Sequence, residues 1–268
     1  MKVNFITDKK SKKSDNKIVF EIKDVDISYA NTLRRLFMND APVMAIEDVE
    51  LRKNDSGLYD EMIAHRLGLL ALTTDLKSYN LQSECKCKGE GCGRCQLKMT
   101  LKAKGTCTVY ASDIKTKDPK VKPVYPKTPI VKLLEGQELE LECTAILGIG
   151  KMHAKWSPCL AYYKEEAEIT IDKQPDNKEE IVEQCPKAIF AVKNDKLVLV
   201  NDNVNECILC DACVELSGKK IKVTPKPTYI MTIESWGQLE PAEIVEEAIE
   251  AYDKQLDEFV DMLGKATK

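Results

Sequence analysis

The 268-residue sequence contains no run of about 18 uncharged apolar residues, the length a membrane-spanning helix requires. Its opening residues, MKVNFITDKKSKKSDNK, carry charge where a secretory signal needs an apolar stretch, so a cytoplasmic protein is expected. Histidine is scarce: His65 and His153 are the two in the chain, which leaves little for acid–base chemistry. A G-x4-G-K-[ST] phosphate loop and a Gly-x-Ser-x-Gly elbow are both missing. Leu147-Gly148-Ile149-Gly150-Lys151 lacks the further glycine and the strand-turn-helix setting of a dinucleotide site, and reads as a turn. Basic charge is not in excess either. Forty Lys and Arg stand against 44 Asp and Glu, a net charge of -4, which excludes the electrostatic footprint of a protein that grips nucleic acid by itself. No intrinsic active site is expected, and any contact with DNA should be indirect.

What is present is enough to bury a core: 43% of residues are hydrophobic, and the length suits roughly one to three domains. The basic tip Lys9 to Lys13 reads as a solvated end. Ile18 to Ile22 suits a strand, followed by a helix that Asp26 or Ser28 can cap, with Ile27, Ala30, Leu33 and Phe37 at helical spacing and Asn39-Asp40-Ala41-Pro42 as the stop. The other face of that helix carries Arg34 and Arg35. Ile63, Leu67 and Leu70 predict a second short helix within Tyr59 to Leu72, where His65 reads as a satisfied structural residue. Leu97, Met99 and Leu101, then Thr106 to Tyr110, then Leu139, Leu141 and Cys143 between glutamates predict an antiparallel sheet with one wet face. Asp113 to Pro129, rich in proline and lysine, should be an exposed connection.

The final segment has the clearest helical pattern. Pro241 suits a first turn, and Val245, Ile249, Tyr252, Leu256, Phe259 and Leu263 recur at alternating steps of four and three, a heptad seam. Its remaining faces carry Glu246, Glu247, Glu250, Asp253, Asp257, Glu258 and Asp261, so the helix repels phosphate and should pack against protein. Burial within the chain and a partner interface are equally compatible with the seam.

Eleven cysteines in a reducing compartment point to metal ligands and small buried hydrophobes rather than disulfides. Cys207, Cys210 and Cys213 form a C-x2-C-x2-C run, the spacing with which one loop presents three thiolates to an iron-sulfur cube. Upstream stands Cys185-Pro186, and the chain between reads as a hairpin turning at Asn194-Asp195. The segment resembles half of a bacterial two-cluster ferredoxin. That resemblance implies Cys185 as the fourth ligand of a single 4Fe-4S cluster, because Ser217 and Gly218 stand where the second cluster's Cys-Pro would be. Zinc is the chemical rival at these four thiolates, and a 3Fe-4S form would follow loss of the iron at the Cys185 corner. A second constellation, Cys85, Cys87, Cys92 and Cys95, places two close pairs around a glycine-rich turn and suits a closed structural zinc site, with free thiols as the alternative. Cys107, Cys143 and Cys159 are expected to be buried packing residues.

Three segments, Ala30 to Phe37, Ile63 to Leu69 and Leu147-Gly148-Ile149-Gly150-Lys151-Met152-His153-Ala154-Lys155-Trp156-Ser157-Pro158, together resemble the alpha-like subunit family of cellular RNA polymerases. With the ferredoxin-like insert and the acidic terminal helix, the likeness extends over nearly the whole chain and is to the archaeal branch of that family, related to the third-largest subunit of eukaryotic RNA polymerase II. The Cys85 to Cys95 loop resembles the zinc loop of that eukaryotic relative. The resemblance implies an α+β protein with a discontinuous dimerisation domain (1–41 and 225–268), a mostly-β domain (42–171, with the zinc loop at 85–95) and a ferredoxin-like cluster domain (172–224). It implies a non-catalytic scaffold in which Arg34, Arg35 and the terminal helix pair with the small alpha-like subunit L, giving a platform for the two large catalytic subunits. Two other classes remain open. A free electron carrier leaves some 200 residues outside the insert without a purpose, and a zinc-dependent nucleic-acid module conflicts with the acidic balance.

Overall fold

A computed structural model describes residues 1–6 and 16–266, with backbone alone at 201–203; the basic tip Lys9 to Lys13 lies outside the described residues. The first elements in chain order are β1 (Lys2–Phe5), β2 (Lys17–Lys23), α1 (Ile27–Asn39), β3 (Val43–Asn54) and α2 (Asp60–Gly68). Next come β4 (Gln96–Lys104), β5 (Cys107–Tyr110), β6 (Lys115–Thr116), β7 (Pro129–Leu133), β8 (Glu138–Gly148) and β9 (Cys159–Ile171). The last are α3 (Lys178–Gln184), β10 (Phe190–Lys193), β11 (Lys196–Leu199), α4 (Ala212–Leu216), β12 (Ile221–Ser235) and α5 (Pro241–Ala266). The architecture is mixed α and β with sheet predominant. Among the described residues no helix is long and apolar enough to cross a membrane.

Two compact units partition the chain, one built on Val19–Thr32 and Tyr162–Thr232, the other on Leu33–Ala161 and the segment from Ile233 onward. In the second, β3, β8, β4 and β6 form one antiparallel sheet in that order, and β5 pairs with β7. Alternation in β8 sends Leu139, Leu141 and Cys143 inward, onto a core that includes Met99 and Leu101 of β4 and Ile63 and Leu67 of α2. The intervening glutamates face water and pair across the sheet, Glu142 with Lys98 at 2.7 Å and Glu140 with Lys102 at 2.7 Å. The alternation ends at Ala145: Ala145 to Gly148 are all buried, because here both sheet faces are covered.

Several expectations for this unit are corrected. His65 is exposed in the last turn of α2 rather than packed, because the buried stripe of that short helix is Ile63 and Leu67. Cys107 is exposed at the start of the short strand β5, while Cys143 and Cys159 are buried as expected. Asp113 to Pro129 is no simple exposed connection: Val121 is fully buried, Lys115–Thr116 joins the sheet as β6, and Pro123 bridges to Leu72. Thr73 fixes that crossing, since its hydroxyl donates to the Lys120 carbonyl at 2.6 Å and accepts the Lys122 N–H at 3.0 Å.

In the first unit β1, β2, β12 and β9 form a sheet in that order, and β10 and β11 form a separate antiparallel hairpin. Asn194 and Asp195 take φ of 49° and 57° at the hairpin tip, the pair of left-handed residues that a tight two-residue turn demands. Ile169, Ile181, Ile189, Phe190, Leu197 and Ile221 close a small core of their own. The helix α1 begins where Asp26 caps it, its carboxylate accepting the Ser28 N–H at 2.8 Å. Ala30, Leu36 and Phe37 are buried on that helix, but Ile27, expected inside, is half exposed at its first position.

Candidate metal centres and interface

The loop Cys85 to Cys95 gathers four thiols whose sulfur atoms all lie within 4.8 Å of one another. The separations are 3.4 Å for Cys85–Cys87, 3.5 Å for Cys85–Cys92, 3.5 Å for Cys87–Cys95 and 3.9 Å for Cys92–Cys95. A tetrahedron of thiolates about 2.3 Å from one ion has edges of about 3.8 Å, so the set has the dimensions of a single-ion cage. The local sequence explains how eleven residues reach this geometry. Gly89 and Gly91 have φ of 88° and 87°, and a side chain at Gly91 would strike Gln96. Backbone amides support the sulfurs: the Cys92 N–H donates to Cys95 Sγ at 3.2 Å and the Arg94 N–H to Cys92 Sγ at 3.4 Å. Crowding splits the thiols' acidities, with Cys87 held down to about 6, chiefly by the Cys85 thiol, and Cys95 pushed up to about 12 by burial. Four thiolates at this spacing repel unless a cation neutralises them.

Cys185, Cys207, Cys210 and Cys213 also converge. They line one apolar cavity together with Ile169, Ile181, Phe190 and Val223. Cys185 enters from the C-terminal end of α3 and accepts the Ile189 N–H on its sulfur at 3.5 Å. The other three come from a tight loop in which Leu209 and Asp211 adopt left-handed φ of 54° and 58°, turning the chain around the cavity mouth. The Cys213 thiol is pushed up to about 11, first by burial and then by charge at Cys207, Cys210 and Cys185, which registers how close the four stand. Ser217 is buried structure: its hydroxyl donates to the Val214 carbonyl at 3.0 Å and accepts the Ile221 N–H at 3.1 Å. Lys164 of β9 was not singled out by sequence reasoning, yet its ammonium donates to the Cys207 carbonyl at 3.3 Å. Burial lowers its pKa, against the pull of Glu206.

The segment Leu147 to Pro158 is a packing device. Gly148 lies under the Trp156 ring and Gly150 against the Met38 carbonyl, where no side chain fits. Lys155 sits 4.4 Å from the Trp156 ring centroid, donates to the Ile46 carbonyl at 3.0 Å and pairs with Glu47. The segment thereby holds the end of α1 and the start of β3.

The seam of α5 is largely open. Pro241, Ile244 and Ala248 carry its burial against the chain, Val245 and Tyr252 are half-buried, and Ile249, Leu256, Phe259 and Leu263 are 41%, 43%, 59% and 54% exposed. Burial within the chain therefore does not account for the seam. Arg35 is exposed, whereas Arg34 is half-buried and reaches Met38 Sδ at 3.6 Å.

Comparison with known proteins gives a consistent result. The family model described as the RNA polymerase Rpb3/RpoA insert domain matches residues 45–174, which include the β3-β8-β4 sheet and the Cys85 to Cys95 loop. DNA-directed RNA polymerase subunit Rpo3 of Methanosphaera stadtmanae is 39% identical over 264 residues, covering 94% of this chain and 97% of that relative. The Rpo3 subunits of Pyrococcus furiosus and Methanosarcina acetivorans are each 36% identical, over 257 and 256 residues; the matches cover 95% and 94% of this chain and 96% of each relative. Likeness at this level from end to end means that the chain belongs to the Rpo3 family of archaeal DNA-directed RNA polymerase subunits.

Proposed function

We propose that the chain is a non-catalytic assembly subunit of archaeal RNA polymerase, heterodimerising with the small alpha-like subunit L and carrying the large catalytic subunits on that platform. The observation that carries this reading is the apolar seam of α5, exposed at Ile249, Leu256, Phe259 and Leu263 on a chain of this family. Such a stripe, bordered by acidic residues, needs a protein partner to cover it. Arg34 and Arg35 of α1 belong to the same interface, within a dimerisation domain of 1–41 and 225–268. Residues 42–171 act as a second domain and 172–224 as a ferredoxin-like one. Work in transcription places the subunit in the cytoplasm, with DNA touched only through its partners.

The cage at Cys85, Cys87, Cys92 and Cys95 is assigned structural zinc, supported by sulfur separations of 3.4 to 3.9 Å. The set at Cys185, Cys207, Cys210 and Cys213, which lines one apolar cavity, is assigned one 4Fe-4S cluster; bound there, it ties the hairpin unit to its ligand loop. Tagging the chain in its native cell, purifying it without oxygen and identifying what co-elutes tests the assembly role. Large polymerase subunits with a small alpha-like partner are expected, and recovery alone or with a reductase would overturn it. Metal analysis of the same sample tests the cofactors: acid-labile sulfide is expected with the iron, and Cys92→Ala should lower zinc while leaving iron unchanged.

A further inference from the structure

We propose that Lys164 is a positioning residue for the cluster, holding the Cys207 corner of the ligand loop and biasing the cluster toward its reduced state. The proposal rests on the reading of the four-thiolate cavity as an iron-sulfur site. Lys164 belongs to β9, a strand of the four-stranded sheet and not of the ligand loop, and its half-buried ammonium donates to the Cys207 carbonyl at 3.3 Å. It is therefore a fixed donor on a rigid element, aimed at the backbone of the first ligand in the C-x2-C-x2-C run. The other charged or ionisable groups near it are Glu206, Lys187 and the Cys207 thiol, and Glu206 pairs with Lys187 at 3.9 Å.

A four-thiolate cluster is anionic, and its reduction adds one more negative charge in a cavity walled by Ile169, Ile181 and Phe190. A cation in poorly screened surroundings stabilises the more negative state and raises the reduction potential, one of the ways by which proteins set cluster potentials. The hydrogen bond has a second consequence, since it fixes the orientation of the Cys207 peptide and hence the aim of its sulfur. Lysine is suited to this place because its aliphatic stem can lie along the sheet while the ammonium reaches the loop.

The test uses the full chain purified anaerobically, with iron and acid-labile sulfide measured before an EPR-monitored redox titration of wild type, Lys164→Met, Lys164→Gln and Lys164→Arg. Equal iron and sulfide contents are expected in all four. The midpoint should move to more negative potential in Lys164→Met and Lys164→Gln, and Lys164→Arg should restore it toward the wild-type value. Lys164→Gln keeps a donor without the charge, so a wild-type midpoint in that variant would overturn the electrostatic bias. A wild-type midpoint in Lys164→Met would overturn the whole inference. Absence of labile sulfide from wild type would instead sink the cofactor assignment beneath it, a distinguishable failure.

Discussion

A β-carbon at Gly150 would fall on the carbonyl oxygen of Met38, a backbone atom that cannot rotate away. Gly150→Ala should therefore cost about 1–3 kcal/mol, the range for forcing an extra methyl into packed structure. Gly57→Ala is the control, because no atom lies within 4 Å of a β-carbon there and the change should stay within about 0.5 kcal/mol. Urea unfolding of the two variants checks the contrast, and equal midpoints would refute the packing role. Asp75 makes a different single-residue case. Its carboxylate is held down to about 2, first by the Lys120 ammonium at 2.7 Å and then by the Ser78 hydroxyl. A carboxylate whose folded pKa is depressed stabilises the fold above its unfolded value, and that contribution disappears as pH falls through the folded one. Stability lost between about pH 4 and pH 2 should thus include a component that Asp75→Asn lacks, visible as a shallower acid limb in urea unfolding across that window. Neither feature could be read from the sequence, since Gly150 and Met38 are over a hundred positions apart and Asp75 meets Lys120 only after the chain crosses at Thr73.

At the scale of elements, α5 carries the sharpest expectation. Phe259→Asp and Leu256→Asp change side chains that are 59% and 43% exposed, so the isolated chain should keep its thermal midpoint to within the effect of a surface change. The same variants should abolish co-purification with a small alpha-like partner, because a charge on an a/d seam leaves an unpaired carboxylate in the covered interface. A lowered midpoint of the isolated chain would instead show that the seam packs internally. The heptad itself was legible, as were the strand alternation of β8, the hairpin tip at Asn194-Asp195 and both cysteine constellations, because each is a local periodicity or spacing. What the local pattern omits is the depth of the surroundings. Ile27 fits the buried stripe of α1 by spacing yet stands at the helix entry with little above it, and Cys107 looks like a core strand residue yet opens a four-residue strand at its exposed end. Val121 is the converse, an apolar residue in a proline- and lysine-rich stretch that is buried because the stretch bridges back to Leu72.

At the scale of the molecule, each compact unit contains one thiol site, and the two sites sit on cores of different size. The Cys85 to Cys95 loop borders the large core shared by β3, β4, β8 and α2. The Cys185 to Cys213 site is part of its core: Cys185, Cys207 and Cys213 pack against Ile181, Ile189, Phe190 and Leu197. A small apolar cluster closed by helices of seven and five residues has little stabilising energy to spare, so a metal group bridging α3 to the ligand loop should supply a large share of the local stability. Removing iron anaerobically with a chelator should then raise hydrogen exchange in α3, the β10-β11 hairpin and α4, while β3, β8 and β4 keep their protection. Stripping zinc should produce a different map, confined to the loop and the adjacent end of β4, because the sheet there retains its own buried face. Exchange rising equally through both units on iron removal would mean that the cluster stabilises the chain globally, and would refute the assignment of a local tie at Cys185, Cys207, Cys210 and Cys213.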